Sequence, residues 1–178
     1  MNSRIYPVIV NTLKMKNINL DIDYPQVTCL MNLNVQKIIN RTIINTVYML
    51  IQEQGFYEEM DGTYELKNND KGVLSIVLIN YSFAGGAHGN TIAKALNFDI
   101  ETGHVYTLPE LFKPNSNYVK KISDIIKVQI KARDIPTLGD FTEINPNQDF
   151  YIADRSLVIF FQLYEITPYY IDIPYFPI

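Results

Sequence analysis

Tryptophan is missing from the 178 residues, and cysteine occurs once, at Cys29. A lone cysteine closes no internal disulfide, so a disulfide scaffold is excluded, the redox compartment stays open, and Cys29 reads as a core residue. Histidine is scarce as well. His88 and His104 stand without a Cys pair or a His-x-x-x-His spacing, too few ligands for a zinc site, so neither a metal nor a cofactor is expected. Neither a Gly-x-Ser-x-Gly nor a Cys/His pattern is present, and no catalytic residue is assigned. No stretch approaches the length of apolar residues that crosses a bilayer, and Met1–Pro7 has no basic region leading into an apolar run. The chain as it stands is expected neither to span a membrane nor to carry an export signal. Its localisation stays open, because a trimmed signal or anchor would leave the same pattern. Positive charge is also short: Lys and Arg number 15 against 19 Asp and Glu, a net charge of -4 with pI near 5.1. A general nucleic-acid binder is excluded, since phosphate contacts need a basic surface.

What is there is globular. A hydrophobic fraction of 47% with 19% charged residues is enough apolar material to fold, in one domain or in two small subdomains sharing a core. The 13 Tyr and 9 Phe favour sheet and supply amphipathic rings suited to recognition.

Period-two alternation of Ile18, Leu20, Ile22 and Tyr24 against Asn19, Asp21 and Asp23 predicts a strand that Pro25 ends. From Asn34 to Gln54 the period changes: Val35, Ile38, Ile39, Ile43, Val47, Leu50 and Ile51 recur at helical spacing, and Gly55 closes the helix. Thr63–Lys67 and Val73–Phe83 flank a polar turn and predict a hairpin, its second strand central and apolar on nearly both faces. Thr91–Ile100 and His104–Thr107 flank Glu101-Thr102-Gly103, extending an antiparallel meander. A second amphipathic helix opens after Pro114–Asn117, with Tyr118, Val119, Ile122, Ile126 and Ile130 on one side and Lys120, Lys121, Lys127, Lys131 and Arg133 on the other. Residues 134–148 read as loop and candidate binding edge, and Phe150–Ile152 with Leu157–Tyr164 form a last hairpin about Asp154-Arg155-Ser156. The fold class is α+β: antiparallel sheets with two amphipathic helices packed on them.

Gly85-Gly86-Ala87-His88-Gly89-Asn90 lies between two strands. Its glycines permit positive φ, either for a bulge or crossover or for close approach of a ligand. A phosphate loop would lead into a helix and carry a lysine, whereas a strand follows here. Glu58, Glu59 and Asp61 read as a solvated loop, while Glu165 in its aromatic run needs a hydrogen-bond partner. The lysine face of the second helix reads either as a solvated face or as a docking face for an anionic partner. Asn40-Arg41-Thr42 and Asn80-Tyr81-Ser82 fall inside a helix and a strand, poor places for glycosylation.

Three strings in this order carry a resemblance: Gly85–Asn90; Phe98–Gly103 running into Leu108-Pro109-Glu110-Leu111-Phe112; and Phe161–Tyr169 ending at Ile173-Pro174-Tyr175. Together they resemble the extracytoplasmic domain of the RsiV anti-sigma factor family and the non-catalytic domain of PdaC-like peptidoglycan deacetylases. The resemblance implies two packed α+β subdomains, placed here at 1–72 and 73–178, and a non-catalytic role. In the anti-sigma branch it implies recognition of lysozyme at the cell surface. The deacetylase metal motif and a sigma-binding segment are not found in this chain. The expected function is therefore a binding module for a protein or wall-related ligand, with a basic wall-active partner such as lysozyme. Its expected ligand-binding residues are Gly85, Gly86, His88, Asn90, Tyr164 and Glu165. The alternative is a wall-glycan hydrolase using His88 and nearby carboxylates.

Overall fold

Alternation gives way to helical spacing near residue 33, and the computed structural model follows that change. It describes residues 7–153 and 156–178; the readings made of Met1–Tyr6 and of Asp154 and Arg155 fall outside the described residues. Strands β1 (Ile9–Lys16) and β2 (Leu20–Thr28) pair antiparallel. Contrary to expectation, β2 runs on through Pro25, which pairs with Thr12. The next strand meets β2 only over Leu20–Ile22, so the proline lies where one edge of β2 has no ladder to lose. Further along that strand the side chain of Asn40 stands in for a neighbour: its Oδ1 accepts from Val27 N–H at 2.8 Å and its Nδ2 donates to Val27 O at 2.8 Å. Cys29 is not in the core. It is exposed, with φ of 61°, where the chain turns out of the sheet after Thr28.

Helix α1 (Leu33–Glu53) is capped by Asn32, whose side-chain oxygen accepts from Asn34 N–H at 3.1 Å and Val35 N–H at 3.3 Å, satisfying two of the donors a helix start leaves open. Gly55, with φ of 66°, follows its end. Val35, Ile39, Ile43, Val47 and Leu50 of α1 pack with Leu20, Ile22 and Val27 of β2 and with residues of the strands beyond it, each such side chain contributing about 1.5–3 kcal/mol by leaving water.

Three more strands complete this sheet: β3 (Glu59–Asp70), β4 (Val73–Phe83) and β5 (Asn90–Asp99), in the order β1-β2-β3-β4-β5. Because α1 carries the chain back along the sheet, β3 runs parallel to β2, and the sheet is mixed rather than wholly antiparallel. Lys71 and Gly72 turn β3 into β4 with φ of 51° and 80°, the twist a two-residue hairpin loop requires. Leu74, Ile76 and Leu78 of β4 face α1. The expected strand over His104–Thr107 is a single bridge, Phe98 to Val105, because the chain passes at Tyr106 into a second compact unit.

The two units are Met1–Val105 and Tyr106–Ile178. The division expected after residue 72 falls in the β3–β4 turn, where antiparallel pairing runs from Asp70–Val73 to Glu59–Phe83 with one register shift between Leu66 and Asn68; one sheet owns both sides of it. In the second unit α2 (Tyr118–Ala132) buries Ile122, Ser123 and Ile126. The antiparallel sheet there consists of β6 (Phe150–Ala153), β7 (Ser156–Phe160) and β8 (Tyr175–Pro177). Phe141 and Phe176 both meet Phe161 edge-on, with ring centroids 5.7 Å apart in each pair. Strand β7 stops at Phe160, short of the expected Tyr164, because Gln162–Glu165 makes a turn with Glu165 N–H donating to Gln162 O at 3.1 Å. The loop 134–148 is tied down rather than free. Ile144 is buried, its N–H donates to Ser123 Oγ at 3.0 Å, and the buried Gln148 donates to Phe160 O at 3.0 Å. No helix among the described residues is long and apolar enough to cross a membrane.

Candidate functional site

The loop between β4 and β5 is shaped by its backbone. Gly85 and Gly86 have φ of 86° and 104°, values that L side chains rarely adopt. Neither is crowded: a Cβ at Gly86 would meet nothing within 4 Å, and one at Gly85 would lie 3.9 Å from a Glu58 carboxylate oxygen. Gly89 is the crowded position, where a Cβ would stand 2.3 Å from the Tyr81 ring and 2.5 Å from Ser82 O. His88 is exposed, its Nδ1 3.0 Å from Gly89 O. Asn90 begins β5, and its carbonyl accepts from Gln54 Nε2 at 2.9 Å. The same amide donates to Asn80 O at 2.9 Å, while Asn80 Nδ2 donates back to Gln54 Oε1 at 2.5 Å. The C-terminus of α1 thus clips the base of the loop.

Beside the loop lies a groove of about 540 Å³, and of the acids that the sequence pattern assigns to a solvated loop, Glu59 and Asp61 instead lie on β3 and line it together with Glu58. Its walls include Lys16, Asp21, Glu58, Glu59, Asp61 and Phe83. Glu58 joins it to the loop, since Glu58 N–H donates to Phe83 O at 2.7 Å, one residue before the loop starts. Four carboxylates face one ammonium there, and that ammonium is taken: Lys16 Nζ donates to Asp21 Oδ2 at 2.5 Å. The hydrogen bond from Lys14, then that from Lys16, holds the Asp21 carboxyl below its ordinary range, while Asp21 and then Asp23 raise Lys14. Ile18, at the β1–β2 turn, is fully exposed on the rim. Such a groove can take a Lys or Arg side chain through charge-assisted hydrogen bonds.

In the second unit Tyr164 has φ of 62° and stacks on Tyr169, ring centroids 5.8 Å apart. Glu165 finds the backbone partner its aromatic surroundings called for: Oε2 accepts from Gln162 N–H at 2.7 Å and Oε1 from Gln148 Nε2 at 3.0 Å. Gly85, Gly86, His88 and Asn90 thus share one loop of the first unit, and Tyr164 and Glu165 one turn of the second. Among the described residues, no group of three or more His, Cys, Asp or Glu side chains is arranged to hold a metal ion.

Residues 12–91 match the family described as Deacetylase PdaC, and residues 109–178 the family described as Protein of unknown function (DUF3298). These two matches, with the similarities that follow, support an RsiV/PdaC-like domain family. It is similar to the anti-sigma-V factor RsiV of Bacillus subtilis, 28% identical over 90% of this chain and 62% of that protein. It is also similar to the peptidoglycan-N-acetylmuramic acid deacetylase PdaC of the same organism, 26% identical over 64% of this chain and 26% of the enzyme. An esterase of Mycobacterium tuberculosis is 28% identical over 64% of this chain and 53% of its own length. The chain therefore spans less than two thirds of each of these relatives. Crystal structures of two DUF3298 family proteins share the fold across 99% of this chain and 92% of theirs. They come from Pseudomonas aeruginosa, with TM-score 0.77 at 14% identity, and from Bacteroides fragilis, with 0.72 at 13%. The RsiV/PdaC-like fold has two helices and two sheets here, α+β as its sequence pattern implied.

Proposed function

We propose that this RsiV/PdaC-like chain is a non-catalytic binding module of the cell envelope whose partner is a basic wall-active protein of lysozyme type. The observation that carries the reading is the acidic groove continuous with the Gly85–Asn90 loop through Glu58 and Phe83. An acidic rim and an exposed Ile18 offer a cationic surface both steering and an apolar contact. In the second unit the stacked Tyr164 and Tyr169 supply a rigid aromatic anchor. The net charge of -4 favours encounter with a cationic partner. Similarity to RsiV over most of the chain supports the anti-sigma branch of the family as the nearer guide to function.

Calorimetric titration with lysozyme at low and at physiological salt tests this reading. A complex that persists at physiological salt is expected. Glu58→Gln with Asp61→Asn should weaken it by roughly tenfold, the order of one lost interfacial charge contact. A complex seen only at low salt, or none, overturns the proposed partner. Turnover of wall glycan that His88→Ala abolishes would replace the binding reading with the hydrolase.

A further inference from the structure

The outer side of α2 has a composition that neither the core nor the loop site uses. On a helix, positions three and four apart lie on one face, and here they form two neighbouring rows. Lys120, Asp124, Lys127 and Lys131 make the first, and Lys121, Ile125, Val128 and Ala132 the second; all eight are exposed. Helical spacing puts Val128, 67% exposed, near the middle of this face, with Ile125, 40% exposed, one turn before it. The face is thus a basic ridge alongside an apolar strip, running roughly 18 Å along the helix. Only one acid interrupts it, and Asp124 is bound to Lys120, with Nζ to Oδ2 at 2.6 Å. Lys121, Lys127 and Lys131 make no hydrogen bond or ion pair among the described residues. Arg133, which the sequence pattern grouped on the same side as these lysines, is the C-cap residue and is committed elsewhere: it donates to Tyr175 O at 2.8 Å and lies over the rings of Tyr175 and Phe176.

We propose that this face of α2 docks on an anionic lipid surface, its lysines at the headgroup phosphates and Val128 and Ile125 in the interface. The charge pattern selects an anionic partner, and it does so against the grain of a chain whose net charge is -4, so the attraction is local and screened by salt. The apolar strip selects a lipid surface over a soluble polyanion, because an amphipathic helix lying in the plane of a bilayer uses both rows at once and lysine stems snorkel from such an interface. One helix of this size gives reversible attachment. The docking face belongs to α2 alone and is independent of the groove and loop proposed above for the protein partner.

The test is co-sedimentation of the full chain with vesicles of phosphatidylcholine alone and of phosphatidylcholine with about one third phosphatidylglycerol, at low and at physiological salt. Binding to the anionic vesicles only, weakening with salt, is expected. Each lysine removed should cost about fivefold in partition coefficient, so Lys127→Gln with Lys131→Gln should lose roughly thirtyfold, while Lys127→Arg with Lys131→Arg keeps binding. Val128→Ser should weaken binding at every salt concentration, because its contribution is apolar. These positions are exposed, so circular dichroism and melting temperature should stay at parental values and separate lost docking from lost folding. Failure of the folded parent to bind anionic vesicles overturns the proposal, as does a glutamine variant that binds like the parent. Binding of polyphosphate or of an acidic protein by the same lysines without binding of vesicles would assign the face to another partner and overturn it equally.

Discussion

One methyl group added at Gly89 should cost the first unit more than one added at Gly86, although Gly86 has the less tolerant backbone. A Cβ at Gly89 would stand 2.3 Å from Cε2 and Cζ of Tyr81 and 2.5 Å from the carbonyl oxygen of Ser82. The ring can swing away. The carbonyl cannot, because Ser82 is paired with Asn90 at the end of the β4–β5 ladder and moves only with the strand. Overpacking a close site costs about 1–3 kcal/mol, and a backbone obstacle puts Gly89→Ala near the top of that range. At Gly86 a Cβ meets nothing within 4 Å, and the cost is the φ of 104° alone, of order 1–2 kcal/mol. In a unit of this size 1 kcal/mol moves the melting temperature by about 4–8 °C, so Gly89→Ala should melt roughly 12–24 °C lower and Gly86→Ala roughly 4–16 °C lower. Scanning calorimetry reads both. Combining Gly89→Ala with Tyr81→Ala in a double-mutant cycle should show relief of the ring contact and leave the carbonyl contact in place. A Gly89→Ala protein that melts within about 2 °C of the parent, or one less affected than Gly86→Ala, refutes the reasoning.

Two further outcomes follow from the same unit. Gln54→Leu should destabilise by about 1–3 kcal/mol in urea unfolding, because it leaves the Nδ2 of the buried Asn80 without Gln54 Oε1 and removes the bonds to the carbonyls of Asn80 and Asn90; an unchanged midpoint would remove Gln54 as the clip of the loop. Asp21 is held below its ordinary carboxyl range by Lys14 and then Lys16, so its contribution to stability is present above that range and lost as pH falls through the lowered value. The difference in melting temperature between the parent and Asp21→Asn should therefore be open at neutral pH and closed in strong acid, and a difference that persists in acid would mean the substitution acts through something other than charge.

Much of the architecture is legible because its cause is local. The change from alternation to helical spacing marks α1 and α2, since burial of one face requires that period whatever lies opposite. Lys71-Gly72 and Gly55 mark their turns through φ alone. The partner of Glu165 was foreseeable, because a carboxylate among aromatic rings needs one. The Gly85–Asn90 loop was legible as a place, though not in its reason: space at Gly86 is open, and the tight contact is at Gly89, set by Tyr81 and Ser82.

The sequence by itself determined the α+β class, both helices with their buried faces, the glycine-shaped loop and the lysine row of α2, all of which depend on residues a few positions apart. Tertiary structure alone decided what depends on residues far apart. The parallel pairing of β2 with β3 rests on where α1 returns the chain, and this is also what leaves Pro25 an edge to occupy and Val27 a need for Asn40. The division after Val105 rests on which strands share a sheet. Glu58 becomes part of a site only because its N–H meets Phe83 O at the mouth of the glycine loop, and what Arg133 at the C-cap of α2 binds is decided by the carbonyl of Tyr175 and the aromatic rings of β8. Periodicity reports which face of an element is buried; it carries no record of which element lies across from it, and the groove, the sheet order and the free lysines of α2 all depend on that.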